Sequence, residues 1–209
     1  MFRVAAATRE MTARRDATGC PAGTPLPRSF YERDAAEVAR DLVGCRLAVR
    51  AARGLQLGRI VETEAYLGPH DRASHSSKGI TVRNRSMFGP PGHAYVYQIY
   101  GLHFCMNAVT GPEGHGAAVL IRALEPLMGI HARTTGPGLV CRALGLDRSW
   151  DGEDLLGDRL FIVGRLKGDR PSIVRTRRVG VDYAGAWARR LLRFLARPVR
   201  THDERRHAA

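Results

Sequence analysis

A chain of 209 residues is long enough to bury a sizeable core and is sized for one domain. Its formal charge of +13 makes a polyanion the first partner to consider, while no apolar run nears the ~20 residues of a membrane span. Cysteines stand at 20, 45, 105 and 141 without a C-x-x-C pair, which argues against a zinc finger and for reduced thiols in an intracellular compartment. All basic residues except Lys78 and Lys167 are arginine. Arginine suits bidentate phosphate contacts, although a high-GC coding bias gives the same ratio.

In chain order, residues 1–25 show no periodicity and are expected to form a disordered leader. Residues 26–200 form the expected single domain, and 201–209 a flexible tail. Asp34 is a good N-cap for a helix over 35–42, with Val38 and Leu42 on one face and Gly44 as its stop. Strands are expected at 45–49 and 55–65, followed by a long loop from Tyr66 to Pro91. The runs 95–99 and 103–109 flank Tyr100-Gly101-Leu102 and read as a tight hairpin. A strand over 117–124 and a helix over 137–146 come next, then short strands at 160–163, 178–181 and 191–195. The pattern predicts an α+β fold: one domain on a curved antiparallel β-sheet or open barrel, with surrounding helices and a protruding hairpin. No G-x-G-x-x-G or Walker loop occurs, so no nucleotide cofactor is expected, and no ligand spacing calls for a metal.

Strand alternation puts Glu62, Glu64 and Tyr66 on one face. Two carboxylates at i,i+2 describe a solvated strand face as well as a catalytic pair. A carboxylate beside an aromatic wall is nonetheless placed for general-base work on water. Tyr95 and Tyr97 share a hairpin face, while Tyr100 at the tip has no core of its own to enter. On a basic protein such a side chain is suited to intercalation into DNA. His75 is a titratable loop residue, and Asn107 and Arg122 lie on strands where a polar group can face either a cavity or solvent.

The motifs V-E-T-E-A-Y-L-G-P, R-N-R-S-M-F after His75, Y-V-Y-Q-I-Y-G-L-H-F-C-M-N and V-L-I-R-A-L-E-P together resemble the alkyladenine (3-methyladenine, methylpurine) DNA glycosylases. L-P-R-S-F-Y, G-P-G-L-V-C-R-A-L-G-L and R-V-G-V followed by A-G-A-W extend the likeness over roughly residues 26–197. The resemblance implies a monofunctional base-excision enzyme that flips alkylated or deaminated purines from double-stranded DNA and hydrolyses the N-glycosidic bond. It implies Glu64 as general base, with Arg122 helping to hold the water. Tyr66 and Tyr97 sandwich the flipped base, His75 hydrogen-bonds near it, and Asn107 crowds the exocyclic amine of guanine. Tyr100 fills the gap in the duplex, and Thr81, Arg83 and Leu102 contact DNA. A monomer is expected, without cofactor or membrane partner, intracellular in any case and in the cytoplasm (nucleoid) if the source is bacterial.

Two other functions compete. A glycosylase–lyase needs an amine nucleophile, for which Lys78 in the long loop is available. A non-catalytic module for damaged DNA needs no Glu64. The chain departs from the family pattern in a short 127–136 segment, in Val82 where proline is common, in His103 after the wedge, and in a longer turn at 111–116 carrying His115.

Overall fold

One strand, β2 (Gly54–Tyr66), holds the sheet together because it pairs along both edges. The computed structural model describes residues 23–51 and 54–197; the expected tail and nearly all of the expected leader lie outside them. The first half of β2 pairs with β1 (Arg46–Ala51), and on the same edge Glu62–Glu64 pairs with β8 (Arg193–Ala196). Its other edge runs along β5 (Ala117–Met128). The pairing with β5 shifts register on either side of Glu62, an irregularity of the kind that bends a strand and re-aims its side chains. That bend lets one strand change partner on a single edge.

The antiparallel sheet runs β3 (Ala94–Ile99), β4 (His103–Thr110), β5, β2, β1, β6 (Leu160–Val163), with β7 (Ile173–Thr176) joined through β8. It curls into half a barrel. Among the described residues the α-helices are few: α1 (Arg28–Tyr31), α2 (Ala35–Leu42) and α3 (Pro137–Leu144). Asp34 caps α2 by accepting the N–H groups of Ala36 and Glu37 at 2.8 and 3.3 Å. The spacing of Ala35, Val38, Ala39 and Leu42 gives α2 one apolar face, buried in the main core with Ile60, Val119, Ile121 and Phe194. Thr63 Oγ1 donates to Ala39 O at 2.7 Å and ties that helix to β2. Among the described residues no helix is long and apolar enough to cross a membrane. Cys45, Cys105 and Cys141 are free and buried.

Most expected elements occur, with shifted ends. The exception is the strand expected over 178–181. Those residues form no ladder; the pairing falls earlier, in β7, and the chain then enters a 3₁₀ segment, Asp182–Arg189. Alternation misleads here because Arg178 is buried for its charge partner and Val181 in a satellite cluster with Ala73, not as members of a sheet face. The helix expected to run to 146 stops at Leu144, since Gly145 takes the left-handed conformation (φ 67) and its N–H caps back onto Arg142 O and Cys141 O. The long loop is partly ordered by two 3₁₀ turns, His75–Lys78 and Arg85–Phe88. Asn84 stitches them: its Oδ1 accepts Thr81 N–H at 2.6 Å, and its Nδ2 donates to His75 O and Gly79 O.

Candidate active site

β2 delivers Glu62, Glu64 and Tyr66 to one face, as alternation predicts, and β5 delivers Arg122 opposite them. Arg122 bridges the two carboxylates. Its Nε donates to Glu62 Oε1 at 2.7 Å and its Nη1 to Glu64 Oε2 at 3.2 Å. Glu62 Oε1 also accepts Arg193 Nε at 2.6 Å. Glu64 is fully buried; Tyr66 Oη donates to its Oε2 at 3.0 Å and Val179 N–H to its Oε1 at 2.8 Å.

Burial pushes the Glu64 carboxyl above the usual carboxylate range, while Arg122, the Val179 N–H and Tyr66 hold the rise in check. Burial works against the charge of the Arg122 guanidinium, but Glu64 and Glu62 beside it outweigh burial and raise its pKa. Oε1 of Glu64 takes one protein donor and so retains a lone pair.

A cavity of about 280 Å³ opens in front of this network. Tyr66, Tyr97, His75, Asn107, Arg122 and Tyr100 all line it. Glu64 does not; it sits one layer behind the wall, touching three residues that do line it: Arg122, Tyr66 and Val179. The His75 ring stands on Tyr97 with centroids 4.5 Å apart at 75°, and its Nδ1 bonds Tyr95 Oη at 2.9 Å. Burial lowers the His75 pKa, and the cations Arg83 and Lys78 lower it further, so the ring is neutral at pH 7 and its second nitrogen is a donor or an acceptor according to which way the Tyr95 hydroxyl points. Burial raises the phenols of Tyr66 and Tyr97 well above their ordinary value, so both walls stay neutral. Asn107 is held by its own amide, Nδ2 donating to Tyr95 O at 2.9 Å across the β3–β4 ladder.

The hairpin carries its tip into solvent. Tyr100 is 89% exposed and Leu102 79%. Tyr100 is also the only non-glycine with positive φ (50°) among the described residues, a conformation that costs about 1–2 kcal/mol and favours glycine. Gly101 follows at φ 68, which completes the turn. Arg83 Nη2 donates to Gln98 O at 2.6 Å and braces the hairpin from the loop, its Cζ lying 5.9 Å from the Tyr97 ring. Arg83 and Thr81 do not line the cavity. With Arg72 and Lys78 they line an adjoining one of about 300 Å³ that shares His75 and Tyr95.

Several lining residues carry no sequence signal of their own. Val179 contributes a backbone N–H, which no motif of side chains reveals. Cys105 sits in the cavity wall with its thiol pushed up to about 11 by burial, and Tyr183 is 72% exposed beside both cavities. Among the described residues no group of His, Cys, Asp or Glu is arranged to hold a metal ion.

The site is thus a buried carboxylate one layer behind an aromatic-walled cavity, held by Arg122 in that wall, with the exposed hairpin tip at Tyr100 on its rim. The chain belongs to the Methylpurine-DNA glycosylase family, which it matches over residues 29–199. It is 52% identical over 169 residues to a protein of Legionella pneumophila (strain Corby) named "Putative 3-methyladenine DNA glycosylase", covering 81% of this chain and 92% of that one. Proteins of the same name are 49% identical over 174 residues in Myxococcus xanthus (strain DK1622), covering 82% and 90%, and 55% identical over 170 residues in Anaeromyxobacter sp. (strain Fw109-5), covering 81% and 87%.

Proposed function

We propose that the protein is a monofunctional DNA glycosylase that removes alkylated or deaminated purines from duplex DNA by direct hydrolysis. The observation that carries this reading is the position of Glu64: a buried carboxylate with a raised pKa, one layer behind a cavity walled by Tyr66, Tyr97 and His75. The flipped purine stacks between Tyr66 and Tyr97. Glu64 takes a proton from a water as that water attacks the deoxyribose C1′. The C1′–N bond breaks and its electron pair leaves with the base, while Arg122 steadies the carboxylate and the water. A cationic alkylpurine leaves neutral; a neutral lesion such as hypoxanthine needs a proton as it departs. Asn107 is fixed by Tyr95 O, so it acts as a rigid wall against the exocyclic amine of guanine.

The base must leave the stack first, at a cost of a few kcal/mol that is least for damaged pairs. Tyr100 on its exposed tip suits the void that flipping leaves, and its positive φ, with that of Gly101, belongs to the tight turn closed by Leu102 N–H on Ile99 O. Lys78 lines the adjoining cavity and not the one walled by Tyr66 and Tyr97, which favours hydrolysis over a lyase step through an amine.

The purified wild type is therefore expected to release free 3-methyladenine from alkylated duplex and leave unbroken abasic strands. Absence of release would leave a binding module in its place, and a covalent complex trapped by borohydride would replace hydrolysis with lyase chemistry.

Tyr100→Ser separates capture from general affinity. Lesion capture should weaken, because the void is no longer filled, while salt-dependent binding to undamaged duplex stays nearly unchanged, since phosphate contacts supply it. Titration of lesion and undamaged duplexes at two salt concentrations measures both. An equal fall in both would make Tyr100 a structural residue.

A further inference from the structure

Beside Tyr66, but outside the lining of either cavity, lies an ion pair that the hydrolytic step as outlined does not use. The side chains of Asp71 and Arg178 are both fully buried. Each guanidinium Nη meets one carboxylate oxygen, Nη2 reaching Oδ1 at 2.9 Å. Nη1 also donates to Ala65 O at 2.9 Å and Nη2 to Trp187 O at 3.3 Å, whereas Nε has no partner among the described residues. The guanidinium carbon lies 4.9 Å from the centroid of the Tyr66 ring.

A buried ion pair is weak grounds for stability, because desolvation offsets much of the attraction. What it fixes is more informative. Asp71 accepts the N–H groups of Leu67 and Ala73, so it locks the turn that runs from Tyr66 towards His75. Arg178 grips the carbonyl just before Tyr66 and lies against that ring. The next residue, Val179, aims its N–H at Glu64. One pair thus sets the wall of the cavity and a donor on the carboxylate. Without a ladder to hold residues 177–181, the Arg178 bond to Ala65 O and the Val179 N–H bond to Glu64 tie that segment to β2.

We propose that Arg178, clamped by Asp71, is a positioning residue for the hydrolytic step: it holds Tyr66 as a fixed wall and points the Val179 N–H at Glu64. This rests on the glycosylase reading and deepens it. The charged and titratable groups facing Glu64 are Arg122 from β5, Glu62 and Tyr66 from its own strand, Tyr97 from β3 and Cys105 from β4, with Arg193 of β8 acting through Glu62. None of these contacts Arg178 except Tyr66, so Arg178→Lys leaves the rest of that set in place.

The test is single-turnover release of 7-methylguanine across pH by wild type, Arg178→Lys, Glu64→Gln and the double variant. Lysine keeps the charge but loses the fork that holds Asp71, Ala65 O and Trp187 O together. The expected single-variant loss is roughly 10–100-fold in rate, the range that misplacement by about an ångström produces. The acid limb should also move to higher pH, because the ionised carboxylate has lost a donor. In the Glu64→Gln background Arg178→Lys should cost less, since the part of its effect that runs through the carboxylate is already lost and only the Tyr66 wall is left to disturb; a merely structural residue would multiply the losses. An unshifted acid limb, or losses that multiply in the double variant, overturns the proposal. Should Arg178→Lys fail to fold, Asp71→Glu moves the same guanidinium while keeping both charges, and the same readings decide. No release by the wild type overturns the glycosylase reading and this proposal together, whereas normal release by wild type and Arg178→Lys alike overturns this proposal alone.

Discussion

Glu64→Gln should release methylated purine about 10²–10⁴-fold more slowly than wild type while still capturing the lesion, because general-base loss typically costs that much. Glutamine keeps the size and an oxygen for Arg122 and Tyr66, but it cannot take the proton from water. Capture should persist or tighten, since a buried negative charge behind the cavity wall has gone. Glu62→Gln is a sensitive comparison, because Glu62 holds the same Arg122 from the other side and also binds Arg193. Its amide oxygen can still accept both guanidinium N–H groups, so the expected loss is within about tenfold, the worth of turning a charge-assisted bond into a neutral one. Single-turnover rates settle the order of the two. Equal losses, or a Glu64→Gln protein at full speed, would remove Glu64 from its role.

The same carboxylate is expected to set the pH dependence. Burial raises the Glu64 pKa, and only the ionised form accepts a proton. The rate should therefore climb through a limb lying above the usual carboxylate range, not at it. With a neutral lesion such as hypoxanthine the rate should fall again at higher pH as the protonated leaving group is lost. A lesion that is already cationic, such as 7-methylguanine, needs no added proton to leave and should lack that falling limb for as long as its ring keeps the N1 proton. Glu64→Gln should flatten the rising limb for both.

Reading the chain reveals side-chain chemistry better than the contacts that aim it. Glu62, Glu64 and Tyr66 are legible as one face because a strand has period 2, and the register shifts beside Glu62 do not undo that phase over so short a span. Tyr100 is legible because a hairpin tip has no core to fill. The expected α+β architecture, one antiparallel curved sheet with a few helices outside, follows from strands joined by short turns, and the sheet has that form. What stays hidden depends on long-range pairing. Val179 donates its backbone N–H to Glu64 from 115 positions away. Arg178 reads as one more arginine in a basic tail until Asp71, 107 positions earlier, is seen beside it. Val179 and Val181 alternate with Arg178 and Gly180 in a strand's rhythm, yet Val179 is exposed and Arg178 buried, so the rhythm belongs to no sheet face. Glu64 itself is visible as a candidate, yet its place one layer behind the wall is set by how β5 and the 177–181 segment close over β2.

Asp71→Ala should destabilise the fold by about 3–5 kcal/mol, since removing one partner leaves the other charge buried and uncompensated. Arg178 would keep only the carbonyls of Ala65 and Trp187, with Nε already lacking a partner among the described residues. The alanine also frees the N–H groups of Leu67 and Ala73, which Asp71 holds in the turn after Tyr66. For a domain of this size the loss corresponds to a Tm lower by about 10 °C or more. The double variant Asp71→Leu/Arg178→Met removes both charges at similar volume and should recover a large part of that loss, because replacing a buried pair by apolar side chains is often neutral. It should not recover the rate of base release, since neither the fork beside Tyr66 nor the hold on the Val179 segment returns. Thermal melts paired with single-turnover rates separate the two effects. A fully stable Asp71→Ala protein would show the pair to be open to water. A double variant that regains both stability and rate would show that packing volume, and not the guanidinium fork, positions this side of the site.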